Sequence, residues 1–103
     1  MTDENERRQM YRATYRPRIA IRVKKYPIIQ QFNSGNLIYQ SPTGREVEEQ
    51  SQCDSHEWFQ SEKDALRAAH DEAERAIRQL ETELREVQTI RKRLASEIGV
   101  NSV

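Results

Sequence analysis

The chain has 103 residues, 35% of them hydrophobic and 33% charged, which leaves room for one small domain with less apolar material than the roughly 45 to 50% of an average globular fold. Lysine plus arginine number 17 and aspartate plus glutamate 17, so a uniformly basic nucleic-acid binder is excluded. The balance conceals a split: residues 1–45 hold nine basic and three acidic groups, residues 46–103 eight and fourteen.

A lone cysteine, Cys53, rules out an internal disulfide, and a reducing cytoplasmic setting is expected. The opening residues Met1 to Arg8 contain no apolar run of the kind that a signal peptide or a membrane span needs. No membrane association is expected.

Residues 1–17 begin acidic and turn basic, with Met10, Tyr11 and Tyr15 as the sizeable apolar groups. They read as a mobile basic arm or one short helix, ended by Pro17. From Arg18 the pattern has a period of two, Ile19, Ile21 and Val23 on one face and Arg18, Arg22 and Lys24 on the other, as in a half-buried strand. Pro27 should bend or end that strand, and Ile28 to Phe32 would resume it. The run Asn33-Ser34-Gly35-Asn36 supplies turn chemistry, Leu37 to Gln40 the next strand, and Ser41-Pro42-Thr43-Gly44 a second turn. Arg45 to Ser51 would return antiparallel, and His56 to Phe59 could add a short last strand.

The remainder reads as helix. Between Gly44 and Gly99 there is neither glycine nor proline, and from Ser61 onward Ala, Leu, Glu, Arg and Gln dominate. Ser61 is placed to cap the N-terminus and Gly99 to end the helix. At 100° per residue, Leu66, Ala69, Ala73, Ala76, Ile77, Leu80, Leu84, Val87, Leu94 and Ile98 share one stripe, with Ile90 just beyond it. The expected fold is α+β: a small antiparallel β-meander of three or four strands over residues 18–60, then one long amphipathic C-terminal α-helix over 61–99 whose distal half is coiled-coil-like.

Such a helix would be about 57 Å long at about 1.5 Å per residue, whereas a strand of ordinary length spans about 17 to 20 Å. The sheet can cover the Ala-rich first turns, Leu66 to Ala76, and little more. Ile77, Leu80, Leu84, Val87, Ile90, Leu94 and Ile98 therefore need another cover. The positions 77, 80, 84, 87, 91, 94 and 98 alternate steps of three and four, as a heptad seam does, with Arg91 as the polar intruder. A homodimer through this seam is the leading expectation, docking on a different protein the next, and packing by the N-terminal arm the third.

Candidate chemistry is sparse. Cys53 and His56 stand three apart and His70 lies farther on, but a structural zinc site takes four ligands in paired spacings. A thiol nucleophile needs an oriented base and an oxyanion site, for which no supporting motif occurs. Glu48 and Glu49, or Asp71 and Glu72, are adjacent and so diverge on a strand or helix. No phosphate-cradling glycine loop is present. No catalytic residue, metal site, cofactor or small-molecule substrate is expected.

The cationic run Arg7, Arg8, Arg12, Arg16, Arg18, Arg22, Lys24 and Lys25, interleaved with Tyr11 and Tyr15, contains no acid and could track phosphates while aromatic rings stack on bases. Alternatively these cations complement Glu46, Glu48 and Glu49 within the fold. A meander followed by a helix is also similar to the small DNA-binding domains that set a sheet in the major groove, such as the arm-binding domains of phage integrases. The acidic segment Glu46 to Glu49 departs from that pattern. The expected role is non-enzymatic: a small adaptor or inhibitor-type protein, of a kind carried by phages and plasmids, acting by protein–protein contact through its helix and charged surfaces. The alternative is a dimeric nucleic-acid-binding protein using its basic arm and first strand.

Overall fold

The computed structural model describes residues 8–99. Five strands, β1 (Gln9–Thr14), β2 (Arg22–Gln31), β3 (Asn36–Gln40), β4 (Glu46–Gln50) and β5 (His56–Phe59), precede one helix, α1 (Glu62–Ile98). The fold is α+β as expected, with an antiparallel sheet of one strand more than the upper expectation, in the order β4-β3-β2-β1-β5. The chain divides into two compact units, residues 1–73 and 74–103. The sheet and the first turns of α1 belong to the first, the distal helix to the second.

The extra strand is β1, which falls where a mobile arm was expected. Gln9–Thr14 lies between β2 and β5, and buries Met10 and Thr14 on one face and Ala13 on the other. A strand covered on both faces lacks the clean polar–apolar alternation by which a half-buried strand is read. Arg12, on the face shared with Met10 and Thr14, obscured the pattern further. The expected arm residues 1–7 lie outside the described residues.

Ile19 also departs from expectation. It was placed with Ile21 and Val23 on a buried face, yet it is 96% exposed. Arg18–Ala20 forms a 3-10 turn, closed by the Ala20 N–H donating to the Pro17 carbonyl at 2.9 Å, which takes these three residues out of the ladder. The strand proper begins at Arg22.

Pro27 does not end β2. Residues 22–27 of β2 pair with β1, whereas Ile28, Gln30 and Gln31 pair with β3. Pro27 thus sits where β2 changes partner, and because the next N–H, of Ile28, donates to the Arg8 carbonyl, the Pro27 nitrogen faces away from β1 and its missing N–H removes no bond from that ladder. An irregularity in register between Ile28 and Gln30 follows immediately, and such bulges bend and twist a strand. The sheet curls until its edges meet: the Trp58 N–H donates to the Ser51 carbonyl at 2.9 Å and Gln52 bridges to Glu57. The result is a strongly curled, barrel-like sheet whose edge strands β4 and β5 approach each other at the segment that joins them.

Two apolar clusters follow from the alternation of side chains. Inside the barrel, Met10, Ile28, Leu37 and Trp58 are buried, with Tyr26 and Tyr39 packed against them. The rings of Tyr26, Tyr39 and Trp58 lie with centroids 4.9 to 5.6 Å apart in tilted pairs, a favourable arrangement of aromatic quadrupoles. On the outside, Ala13, Tyr15 and Ala69 form the second cluster with Ile21, Val23, Phe59 and Ala68. Alanines at 13, 65 and 69 bring backbones close together, and both Ala13 and Ala65 are completely buried. Of the early stripe, Leu66 is half exposed at 51% while Ala65 is covered, so the buried face of these turns is rotated toward the alanines.

Both helix ends behave as read from the sequence. Ser61 Oγ accepts from the Asp64 N–H at 3.2 Å, satisfying one otherwise orphaned donor. Gly99 adopts φ 80°, the left-handed conformation that ends a helix with little strain in glycine.

A polar cluster inside the barrel and an open apolar stripe on the helix

Arg12 points along the barrel interior from β1. Its Nε lies 2.6 Å from Glu49 Oε1 on β4, its Nη2 3.3 Å from Glu49 Oε2, and its Nη1 donates to Thr14 Oγ1 at 2.8 Å. Trp58 Nε1 donates to the same Glu49 Oε1 at 2.7 Å. One carboxylate thereby ties β1, β4 and β5 together, and charge-assisted bonds of this length are the strong ones. Among the described residues, no buried side-chain nitrogen or oxygen lacks a partner, which is what allows such a cluster to stabilise the fold.

His56, buried on β5, completes the cluster. Its Nε2 lies 2.7 Å from the Gln50 carbonyl and its Nδ1 3.2 Å from Arg12 Nη2. A carbonyl only accepts and a guanidinium only donates, so Nε2 carries the proton and Nδ1 the lone pair. Cys53 Sγ lies 3.3 Å from the same Nδ1 and 3.1 Å from Ser55 Oγ. The Ser55 hydroxyl bond holds the thiol below its ordinary titration range, against the opposing effect of burial. The ring thus bridges the Gln50 carbonyl and Glu49 on its Nε2 side and Arg12 and Cys53 on its Nδ1 side. His70, considered with Cys53 and His56 as a metal ligand, is exposed on α1, 3.7 Å from Asp71.

The cationic run is partly absorbed by the fold. Arg12 is held by Glu49, Arg16 reaches Glu72 at 3.4 Å, and Arg8 donates to Gln31 at 2.5 Å. Tyr15 is buried and its hydroxyl donates to Glu57 at 3.0 Å, so its ring is not a surface for stacking. Tyr11 is partly buried between Lys25 and Phe59 in the ladder. Arg18 is partly buried in the 3-10 turn, and Arg7 lies outside the described residues. Arg22, Lys24 and Lys25 stand exposed along β2. Opposite charge therefore meets inside the barrel; of the three exposed cations, Arg22 and Lys24 lie on the face of β2 shared with Tyr26 and Ile28, and Lys25 on the opposite face.

The distal helix is the apolar surface of the molecule. Ile77, Leu80, Leu84, Val87, Ile90, Leu94 and Ile98 are 43 to 75% exposed. Val87, Ile90, Leu94 and Ile98, together with Arg91 and Ala95, line a shallow groove of about 450 Å³. The opposite face carries Thr82 and Thr89, whose hydroxyls donate to the carbonyls of Arg78 and Arg85 one turn earlier, at 3.0 and 3.1 Å. Among the described residues, no helix is long and apolar enough to cross a membrane.

Comparison with protein-family models, with curated proteins and with solved structures finds no match to this chain.

Sequence reasoning offered Glu49 as one internal counter-charge for the cationic run, which Arg12 bears out, but missed that the pair lies inside the sheet with His56 and Trp58. Its signal was present: Met10, Arg12 and Thr14 alternate with Tyr11, Ala13 and Tyr15, a strand pattern in which the charged member needs a buried counter-charge. Glu49 occupies the equivalent place in β4, between Val47 and Ser51.

Proposed function

We propose that this chain is a non-enzymatic macromolecular recognition module that works by protein–protein contact through the distal half of α1. The observation that carries this reading is the exposure of seven large apolar side chains, from Ile77 to Ile98, in one stripe. Each is worth about 1.5 to 3 kcal/mol when fully buried, and contiguous apolar surface of this extent marks an interaction site. A protein face lined with complementary apolar groups satisfies it, and the charged flanks of the helix select among such faces. A small adaptor or inhibitor-type protein matches this design.

A photo-crosslinking residue placed at Leu84 tests the reading in cells, with Thr89 on the opposite face as control. A protein adduct at Leu84 well above that at Thr89, whether with another copy or with a different protein, is expected. Equal yields at the two positions overturn the proposal.

A second reading, nucleic-acid binding, is favoured by the three exposed cations Arg22, Lys24 and Lys25 on β2. Phosphate neutralisation by so few groups gives weak, salt-sensitive binding. A mobility shift with duplex DNA or RNA that is unchanged when all three become alanine eliminates this strand as the contact.

A further inference from the structure

We infer that the occupant of the stripe is a second copy of this chain, lying antiparallel to the first. This rests on the reading of the stripe as a docking surface and adds the identity and direction of the partner. The seam is self-complementary about a two-fold axis near residues 85 and 86. Ile77 of one copy packs on Leu94 of the second, Leu84 on Val87, and Leu80 on Arg91, and every pairing recurs in reverse. Such an isologous interface is the commonest route to a closed dimer.

Arg91 decides the direction. It occupies a core position of the heptad, and the residues three and four away from it on its own helix are Gln88, Val87, Leu94 and Ala95, none an acid that could form the usual intrahelical pair. In a parallel, in-register dimer, Arg91 would face Arg91, flanked by Gln88 and Ile90, and like charges across a seam are destabilising. In the antiparallel dimer Arg91 lies opposite Leu80 of the second copy, and Glu81 of the second copy borders it, about one residue's rise away along the axis. Both Arg91 and Glu81 are exposed in the single chain, so each is available to the other. Ile90 lies on the opposite border of the stripe from Glu81 and widens the apolar contact without opposing the pair. The two Arg91–Glu81 pairs are related by the two-fold axis.

The full chain carrying Cys53→Ser, in separate Ile77→Cys and Leu94→Cys variants, tests the arrangement with a short bismaleimide. Mixing the two variants should give a covalent dimer of one of each, while Ile77→Cys alone gives little. Efficient self-crosslinking of Ile77→Cys overturns the antiparallel assignment and leaves the stripe reading intact. A single-chain mass by light scattering at every concentration overturns the second copy as occupant, while an adduct at Leu84 with a different protein would still support the docking surface. Arg91→Glu should weaken the dimer about tenfold or more, and Glu81→Arg in the same chain should restore it. Failure of the double reversal to restore affinity also counts against this register.

Discussion

Arg12 and Glu49 belong to strands separated by two others in the sheet order, yet the guanidinium Nε and the carboxylate oxygen lie 2.6 Å apart inside the barrel. The contact exists because β2 changes partner at Pro27 and the sheet curls, which brings β4 across to β1. It makes the cluster a sensitive point of the fold: removing the cation leaves a carboxylate, already largely out of water, held by Trp58 and His56 without its counter-charge.

Replacing Arg12 with methionine should therefore cost about 2 to 4 kcal/mol. That is below the full cost of breaking a deeply buried pair, because both side chains retain some contact with solvent. Urea unfolding followed by Trp58 fluorescence measures it. Replacing Glu49 with glutamine as well should recover part of the loss, since the second change removes the stranded charge. A loss from Arg12→Met within 0.5 kcal/mol of zero would mean that the pair contributes little.

Tyr39 supplies a pH prediction. Burial first, and the Glu49 carboxylate second, hold its phenol above the ordinary tyrosine value of 10.0. The folded state thus favours the neutral phenol. The corresponding stability is fully present below the unfolded tyrosine's titration and is lost as pH rises through the folded one. Absorbance at 295 nm should show a late-titrating contribution that disappears in Tyr39→Phe. Glu49→Gln should lower that titration but leave it raised, because burial remains. A Tyr39 contribution that titrates at the ordinary tyrosine value would contradict the arrangement.

Ala69 packs in the outer cluster with Ala13 and Tyr15. Leucine at this position adds volume where close approach depends on a methyl group, and should cost about 1 to 3 kcal/mol through displaced neighbours. The same change at Arg67, which is exposed two residues away on the far side of the helix, should leave stability nearly unchanged. Equal effects at both positions would show that helix propensity, and not packing, governs this segment.

Ending the chain after Glu83 should leave the barrel folded, since residues 1–73 form a compact unit with both apolar clusters. Near-ultraviolet circular dichroism from the Tyr26, Tyr39 and Trp58 group reports it. Loss of that signal would mean that the distal helix is needed for the barrel to fold. In the full chain, Leu84→Asp should abolish any mass above that of one chain in light scattering, with helix content only partly reduced.

The helix was legible because its signals are local and mutually consistent: a serine cap, a long run without glycine or proline, a 3.6-residue apolar period and a terminal glycine. The stripe from Ile77 to Ile98 was legible for the same reason, and its exposure follows from simple lengths. β3, β4 and their turn were equally local, with Gly44 at φ 88° closing the turn by donating to the Ser41 carbonyl at 2.9 Å. β1 was not legible as a strand, because residues covered on both faces do not alternate cleanly and Arg12 resembled a surface cation. Ile19 misled in the opposite sense, its apolar character suggesting burial that a tight turn withholds.

By itself, the sequence determined that an antiparallel sheet precedes a long amphipathic helix, and that more apolar surface runs along that helix than a small sheet can cover. These are consequences of periodicity, propensity and length, which act between near neighbours in the chain. Only the tertiary structure decided that the sheet curls into a barrel-like form and that Arg12 belongs inside it with Glu49, His56 and Trp58. Those contacts join residues more than 35 positions apart, and the change of partner along β2 that creates them depends on three strands at once.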